Sequence, residues 1–229
     1  MGIFGNRMNR PGPGIPKNAP SKKGLALFWD ILFREFFELV KLNLLFCAFC
    51  LPVVTIPAAC TAMSKITVTM VRDQNHFLWA DFWAEFKADF KKSEGAGALI
   101  FLGIGAGVFG AWFYSKMLTS GPFFYLPLAL SCLIVLVLMV MGFYVFPMIA
   151  LVDLPFRQIV RNAFLLTFVC LHYNLLALVI TAGLTLFAVA LLPVTLLLFP
   201  FLWFALMNFI TTFCAYYGIR KYVISEKES

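Results

Sequence analysis

Apolar positions run through this chain in long uninterrupted stretches, and polar positions gather in the short segments between them. A membrane-spanning helix needs about 20 mostly apolar residues, because it rises about 1.5 Å per residue across about 30 Å of hydrocarbon. Residues 96–117 meet that length if Lys116 snorkels at the end, and residues 123–152 meet it again. The stretch 162–219 holds no Asp, Glu, Lys or Arg, which leaves room for spans at 172–192 and 194–219 with Pro193 at the turn. Four transmembrane helices are therefore expected.

The run LNLLFCAFCLPVVTIPAACTAM, residues 42–63, follows a different pattern. Pro52 and Pro57 would each remove a backbone donor from a single helix and clash with its preceding turn, so a proline-broken helical hairpin is expected instead. In that hairpin Thr55 caps and Pro57 opens a returning helix that reaches about Arg72. Upstream, residues 25–41 have helical spacing, with Asp30, Arg34, Glu38 and Lys41 on one face and Trp29, Phe33, Phe36, Phe37 and Val40 elsewhere.

Charge sets the orientation. Lys and Arg concentrate before residue 42, over residues 65–92, in a loop carrying Arg157 and Arg161, and at Arg220 and Lys221. A hairpin that turns back places all four groups on the cytoplasmic side, whereas a single crossing would separate the first from the rest. The expected topology is a multi-pass protein of the cell membrane with both termini cytoplasmic. The arms are short enough that the hairpin is either re-entrant or strongly tilted, and Lys65 must reach a headgroup or a polar cavity.

The segment DFWAEFKADFKK, residues 81–92, then lies in the cytoplasm, in an amphipathic helix expected over 79–93. Phe82, Phe86 and Phe90 recur every four residues, joined by Trp79 and Trp83, and three acids balance three lysines. A helix built to hold anionic lipid would be rich in Lys and Arg. Two readings stand: an interfacial elbow that seats its aromatics at headgroup level, or a docking surface for another protein formed by Trp79, Phe82, Trp83, Phe86 and Phe90.

Composition agrees with the pattern. The 229 residues are 62% hydrophobic and 13% charged, with a mean hydropathy of +0.91, against about 25% charged in soluble domains. The net charge of +7 follows from topology, so no nucleic-acid partner is expected. Residues 1–24 lack an apolar core after their positive charges and are expected to form a flexible basic cytoplasmic tail, not a signal peptide. A single membrane domain is expected over 25–225.

Chemistry-bearing patterns are weak. Six cysteines lie in or beside apolar runs, and the Cys47/Cys50 pair has no companion ligands in sequence, so no metal and no cofactor is expected. No nucleophile with a base, phosphate-cradling loop or zinc spacing is present, which argues against an enzyme. The spans carry only mild polar groups: Thr181, Thr185, Asn208, Thr211 and Thr212. Ion coupling is thereby disfavoured, and a neutral-solute pathway less so. Gly103, Gly107 and Gly110 permit close helix approach, either within the chain or in a seam that would make a homo-oligomer.

The stretch 42–63, followed by DFWAEFKADFKKS and then VRNAFLLTF, resembles the YesL-type family of small bacterial integral membrane proteins, a domain of unknown function. The resemblance runs from about residue 25 to 222, and the family's first motif commonly carries Gly where Ile56 stands here. It implies a Gram-positive source and coding beside carbohydrate ABC importers, polysaccharide-degrading enzymes and two-component sensors. The expectation it leads to is a non-catalytic accessory or assembly subunit associated with a carbohydrate ABC permease or its ATPase. The alternative is an autonomous transporter or channel for a neutral solute such as a sugar.

Overall fold

The structure, a computed structural model, describes residues 24–224; the expected tail over 1–24 lies outside the described residues except for Gly24. Helices α1 (Leu25–Arg34) and α2 (Phe36–Phe49) lead through a 3-10 turn at Val53–Thr55 into α3 (Ile56–Val71). Then come α4 (Leu78–Ala88), α5 (Phe90–Met117), α6 (Tyr125–Leu151), α7 (Phe156–Val169) and α8 (Leu171–Ala190). Short 3-10 and π turns over 194–203 precede α9 (Phe204–Ile219). No strand occurs among the described residues. Five stretches are long and apolar enough to cross a membrane: Val53–Val71, Phe90–Met117, Pro122–Leu151, Leu171–Ala190 and Phe199–Ile224. The chain is a helical, multi-pass membrane protein.

Helix α3 is the central element. Its Ala58, Ala59, Ala62 and Ser64 are all buried, and their small side chains let neighbouring backbones approach closely. One apolar cluster gathers α1–α4 around it, with Leu42, Ile66 and Phe82 fully buried. A second is built from α5–α8, with Tyr144, Met148 and Ile159 at its heart. Helix α9 ties the two together, giving Ala205 and Phe209 to the first and Ala215 and Ile219 to the second.

The incoming arm of the hairpin is short. Its apolar portion, residues 42–49, follows the exposed Lys41 and amounts to about 12 Å of helix, less than half the hydrocarbon thickness. Thr55 stands at the N-cap position of α3 as expected, but its side chain makes no hydrogen bond to that helix. Its hydroxyl instead donates to the carbonyls of Phe49 (2.5 Å) and Pro52 (2.6 Å), closing the end of α2, while Pro57 occupies the first turn of α3.

Several expected boundaries move. The helix expected over 25–41 kinks at Glu35 (φ −96°, ψ 11°), which lets Phe28 of α1 lie against Phe209 and Phe213 of α9. The expected cytoplasmic helix over 79–93 ends at Ala88, and residues 90–95 belong to α5. The segment of Arg157 and Arg161 is no loop but α7, because Ile159, Ala163 and Leu166 form a buried face at helical spacing. At the other end, α9 starts at Phe204, well after the expected 194, since Pro200 supplies no backbone donor to a regular helix there. Asn43 makes up the deficit. Its amide donates to the carbonyls of Phe199 (2.9 Å) and Pro200 (2.7 Å), and its Oδ1 accepts from the Ala205 N–H (2.8 Å).

Gly103, Gly107 and Gly110 face α6 within the chain. A Cβ at Gly103 would stand 2.6 Å from Leu138, one at Gly107 2.6 Å from Val135, and one at Gly110 3.0 Å from the Ser131 hydroxyl. Gly105, on the opposite face, has nothing within 4 Å. Gly107→Leu should therefore destabilise the protein by about 1–3 kcal/mol through overpacking, while Gly105→Leu should leave it unchanged. Thermal unfolding of the two variants in one detergent checks this, and equal midpoints would contradict the seam.

Candidate functional site

Helix α4 begins with its own cap: the Asp81 carboxylate accepts from the Phe77 N–H at 2.8 Å. Its aromatic residues do not form a single outward strip. Phe82 is 0% exposed and Phe86 is buried, both against Phe49 at the end of α2, with ring centroids 5.2 and 5.0 Å apart. Phe90, half-buried at the start of α5, meets Phe86 edge-on at 5.6 Å. Trp79 is 64% exposed, and Trp83 is partly so, stacked on Phe86 with Lys87 Nζ 4.2 Å above its ring. At about 100° per residue Trp79, Phe82, Trp83 and Phe86 share one broad face of the helix, and Phe49 also meets Trp79 (6.3 Å) and Trp83 (5.5 Å). Phe82 and Phe86 hold this face down, while Trp79 at the start of the helix and Trp83 at the edge of the face keep exposed surface.

Beneath the locked face lies a charged junction that sequence spacing did not indicate. Lys65 of α3 is partly exposed, with 38% of its side-chain surface open, and has two contacts within the chain. Its Nζ donates to the Ala150 carbonyl at the end of α6 (2.8 Å) and lies 3.7 Å from Oε2 of Glu85 on α4. Three helices thus meet at one ammonium. Glu85 Oε1 is buried and accepts no hydrogen bond. Burial, with a smaller contribution from Asp89, outweighs Lys65 and pushes the Glu85 carboxyl up to about 7. Alongside, Lys92 bridges Asp89 (3.1 Å) and Asp153 (3.5 Å), and the Ser93 hydroxyl donates to Thr61 (2.8 Å), binding the start of α5 to α3.

A separate cleft of about 710 Å³ opens between α3, α5, α6, α8 and α9. Met63, Ile100, Phe143 and Met207 line it, and its walls are mainly apolar. Thr181, Thr185 and Thr211 border it, yet their hydroxyls donate to the carbonyls of Ala177, Thr181 and Met207 within their own helices. Asn208 is engaged with Ser64 (3.3 Å) and Thr212 (2.9 Å). These polar groups are occupied in holding helices. The six cysteines carry free thiols, and among the described residues no three His, Cys, Asp or Glu side chains stand together as metal ligands.

The junction and the hairpin fall in the part of the chain that a family model matches. The model, described as a protein of unknown function, DUF624, covers residues 39–110. That segment contains α2 from Leu39 onward, α3, α4 and the first three-quarters of α5, and so Lys65, Glu85 and all five aromatics singled out above. No curated protein and no solved structure shows a significant match to the chain.

The buried and the exposed rings of α4 separate energetically. Phe82→Ala removes a fully buried ring and should cost about 3–5 kcal/mol of stability. Trp79→Ala, at an exposed position, should stay within about 0.5 kcal/mol of the parent. Denaturant or thermal unfolding of both variants provides the measurement, and a Trp79 effect as large as that of Phe82 would refute the division.

Proposed function

We propose that this chain is a non-catalytic accessory or assembly subunit of a membrane transport complex, and that the exposed indoles of α4 are where a partner docks. The observation that carries the reading is the exposure of Trp79 and Trp83 beside Phe82 and Phe86, the buried rings that pin the helix through Phe49. Exposed indoles held on a rigid base offer large contact area with little ordering cost on binding, which is the character of interface anchors. Phe82 and Phe86 are buried and hold the helix in place, and Phe90 is half-buried at the start of α5.

The partner class comes from the resemblance to the YesL-type family, whose members are coded beside carbohydrate importers. A carbohydrate ABC permease or its ATPase is accordingly the proposed partner. The distribution of Lys and Arg favours a cytoplasmic location for α4 and both termini, and the family resemblance favours a Gram-positive cell membrane. The second reading, a pathway for a neutral solute, draws on the cleft among the spans. Its threonines are spent on helix carbonyls, which leaves few groups for sugar hydroxyls and favours the accessory role.

The test pairs binding with transport. Trp79→Ala combined with Trp83→Ala should reduce co-purification with the importer from native membranes by at least tenfold while the protein remains folded. Purified protein in liposomes should show no sugar flux. Unchanged co-purification would sink the docking face, and flux through the protein alone would turn the assignment to the solute pathway.

A further inference from the structure

Glu85 is poorly provided for as an anion. Its nearest cation, Lys65 Nζ, stands 3.7 Å away, beyond hydrogen-bond length, and already donates to the Ala150 carbonyl at 2.8 Å. Oε1 has no donor at all, and the side chain is only 12% exposed. The charged groups acting on it are Lys65 from α3 and Asp89 at the joint between α4 and α5, and Lys92 reaches Asp89 rather than Glu85. From α2 the neighbouring contact to α4 is Phe49, an apolar ring. A protonated Glu85 would shed the unsolvated charge and keep its place.

We infer that Glu85 is a proton-binding site whose occupancy governs how firmly α4 is seated on α3. When α4 lifts away, the carboxyl returns to water and to an ordinary carboxylate value of about 4.3. Seated, it titrates at about 7, with burial as the main cause. Seating therefore binds a proton between those limits. The stabilisation that Glu85 contributes is full below the water value and is lost as pH rises through about 7, the reverse of what a favourable salt bridge with Lys65 would give. Proton binding at Glu85 concerns α4 itself and stands whether or not a partner docks on Trp79 and Trp83.

Hydrogen exchange on the full chain in nanodiscs at pH 6 and pH 8, with times scaled for the intrinsic exchange rate, reads the effect. Amides of α4 should exchange about tenfold faster at pH 8 than at pH 6, the ratio expected for a seated carboxyl titrating near 7. Glu85→Gln, a neutral isostere of the protonated acid, should abolish the difference and keep α4 protected at both values. Lys65→Met should enlarge the difference, because removing the cation raises the carboxyl further. Equal protection of the parent at the two pH values overturns the inference, as does a difference that survives Glu85→Gln. Should Glu85→Gln fail to fold, a Lys65→Met protein with the parental ratio overturns it equally.

Discussion

Wherever a helix ends or breaks in apolar surroundings, its last carbonyls need donors that water cannot provide, and that requirement organises this molecule. Asn43 supplies the break before α9 by bonding Phe199 and Pro200. Lys65 supplies the end of α6 at Ala150, Thr55 the end of α2 at Phe49, and Thr195 the end of α8 at Ala188. Asn174 donates to Leu166 and Thr167 where α7 gives way to α8, and its own carbonyl oxygen accepts from the buried Tyr144 hydroxyl at 2.5 Å. A buried carbonyl left without a donor costs about 1–3 kcal/mol, so each of these side chains fixes a helix end as firmly as a packed apolar residue would. Three of the five donors act from a distant part of the chain or across a helix junction, which makes helix ends depend on tertiary structure.

The same requirement explains why α4 is a rigid platform. Its lower face is bound by rings and by the junction at Lys65, where the need to serve Ala150 draws the ammonium away from Glu85. The carboxylate is thus second in line for its cation, and low dielectric makes that shortfall expensive. Trp79, at the start of the helix, meets Phe49 only edge-on at 6.3 Å and stays open. Position along the helix, rather than residue type, separates an aromatic that stabilises the fold from one available for contact.

Much of the architecture was legible because it follows from local chemistry. Apolar length located the spans, and Pro52 with Pro57 located the hairpin turn, since a missing donor acts wherever the residue lies. The face of Ile159, Ala163 and Leu166 was also present in the sequence, and the basic residues Arg157 and Arg161 drew attention away from it. Other features were not legible in principle. Asn43 reads as a commonplace boundary residue until residues 199–205 are brought beside it, and Glu85 reads as part of a solvated stripe until Lys65 and Phe49 define which way α4 faces. The breaks at Glu35 and Asp89 likewise carry no Gly or Pro, being imposed by the helices against which α1 and α4 must lie.

These long-range bonds also bear on the segment matched by the family model. Residues 39–110 hold the donors Asn43 and Lys65, whereas their acceptors at Ala150, Phe199 and Pro200 lie in the unmatched remainder. Ser64 and Thr67 of α3 similarly reach Asn208 and Thr212 of α9. Cut out alone, the matched segment would expose the buried surface of α3, whose surroundings come from both halves, and would leave Lys65 and Asn43 without their carbonyl acceptors. The matched segment is therefore tied through its hydrogen bonds to the rest of the chain. A partner that engages α4 would act on a helix whose footing runs through α3 to the far end of the chain.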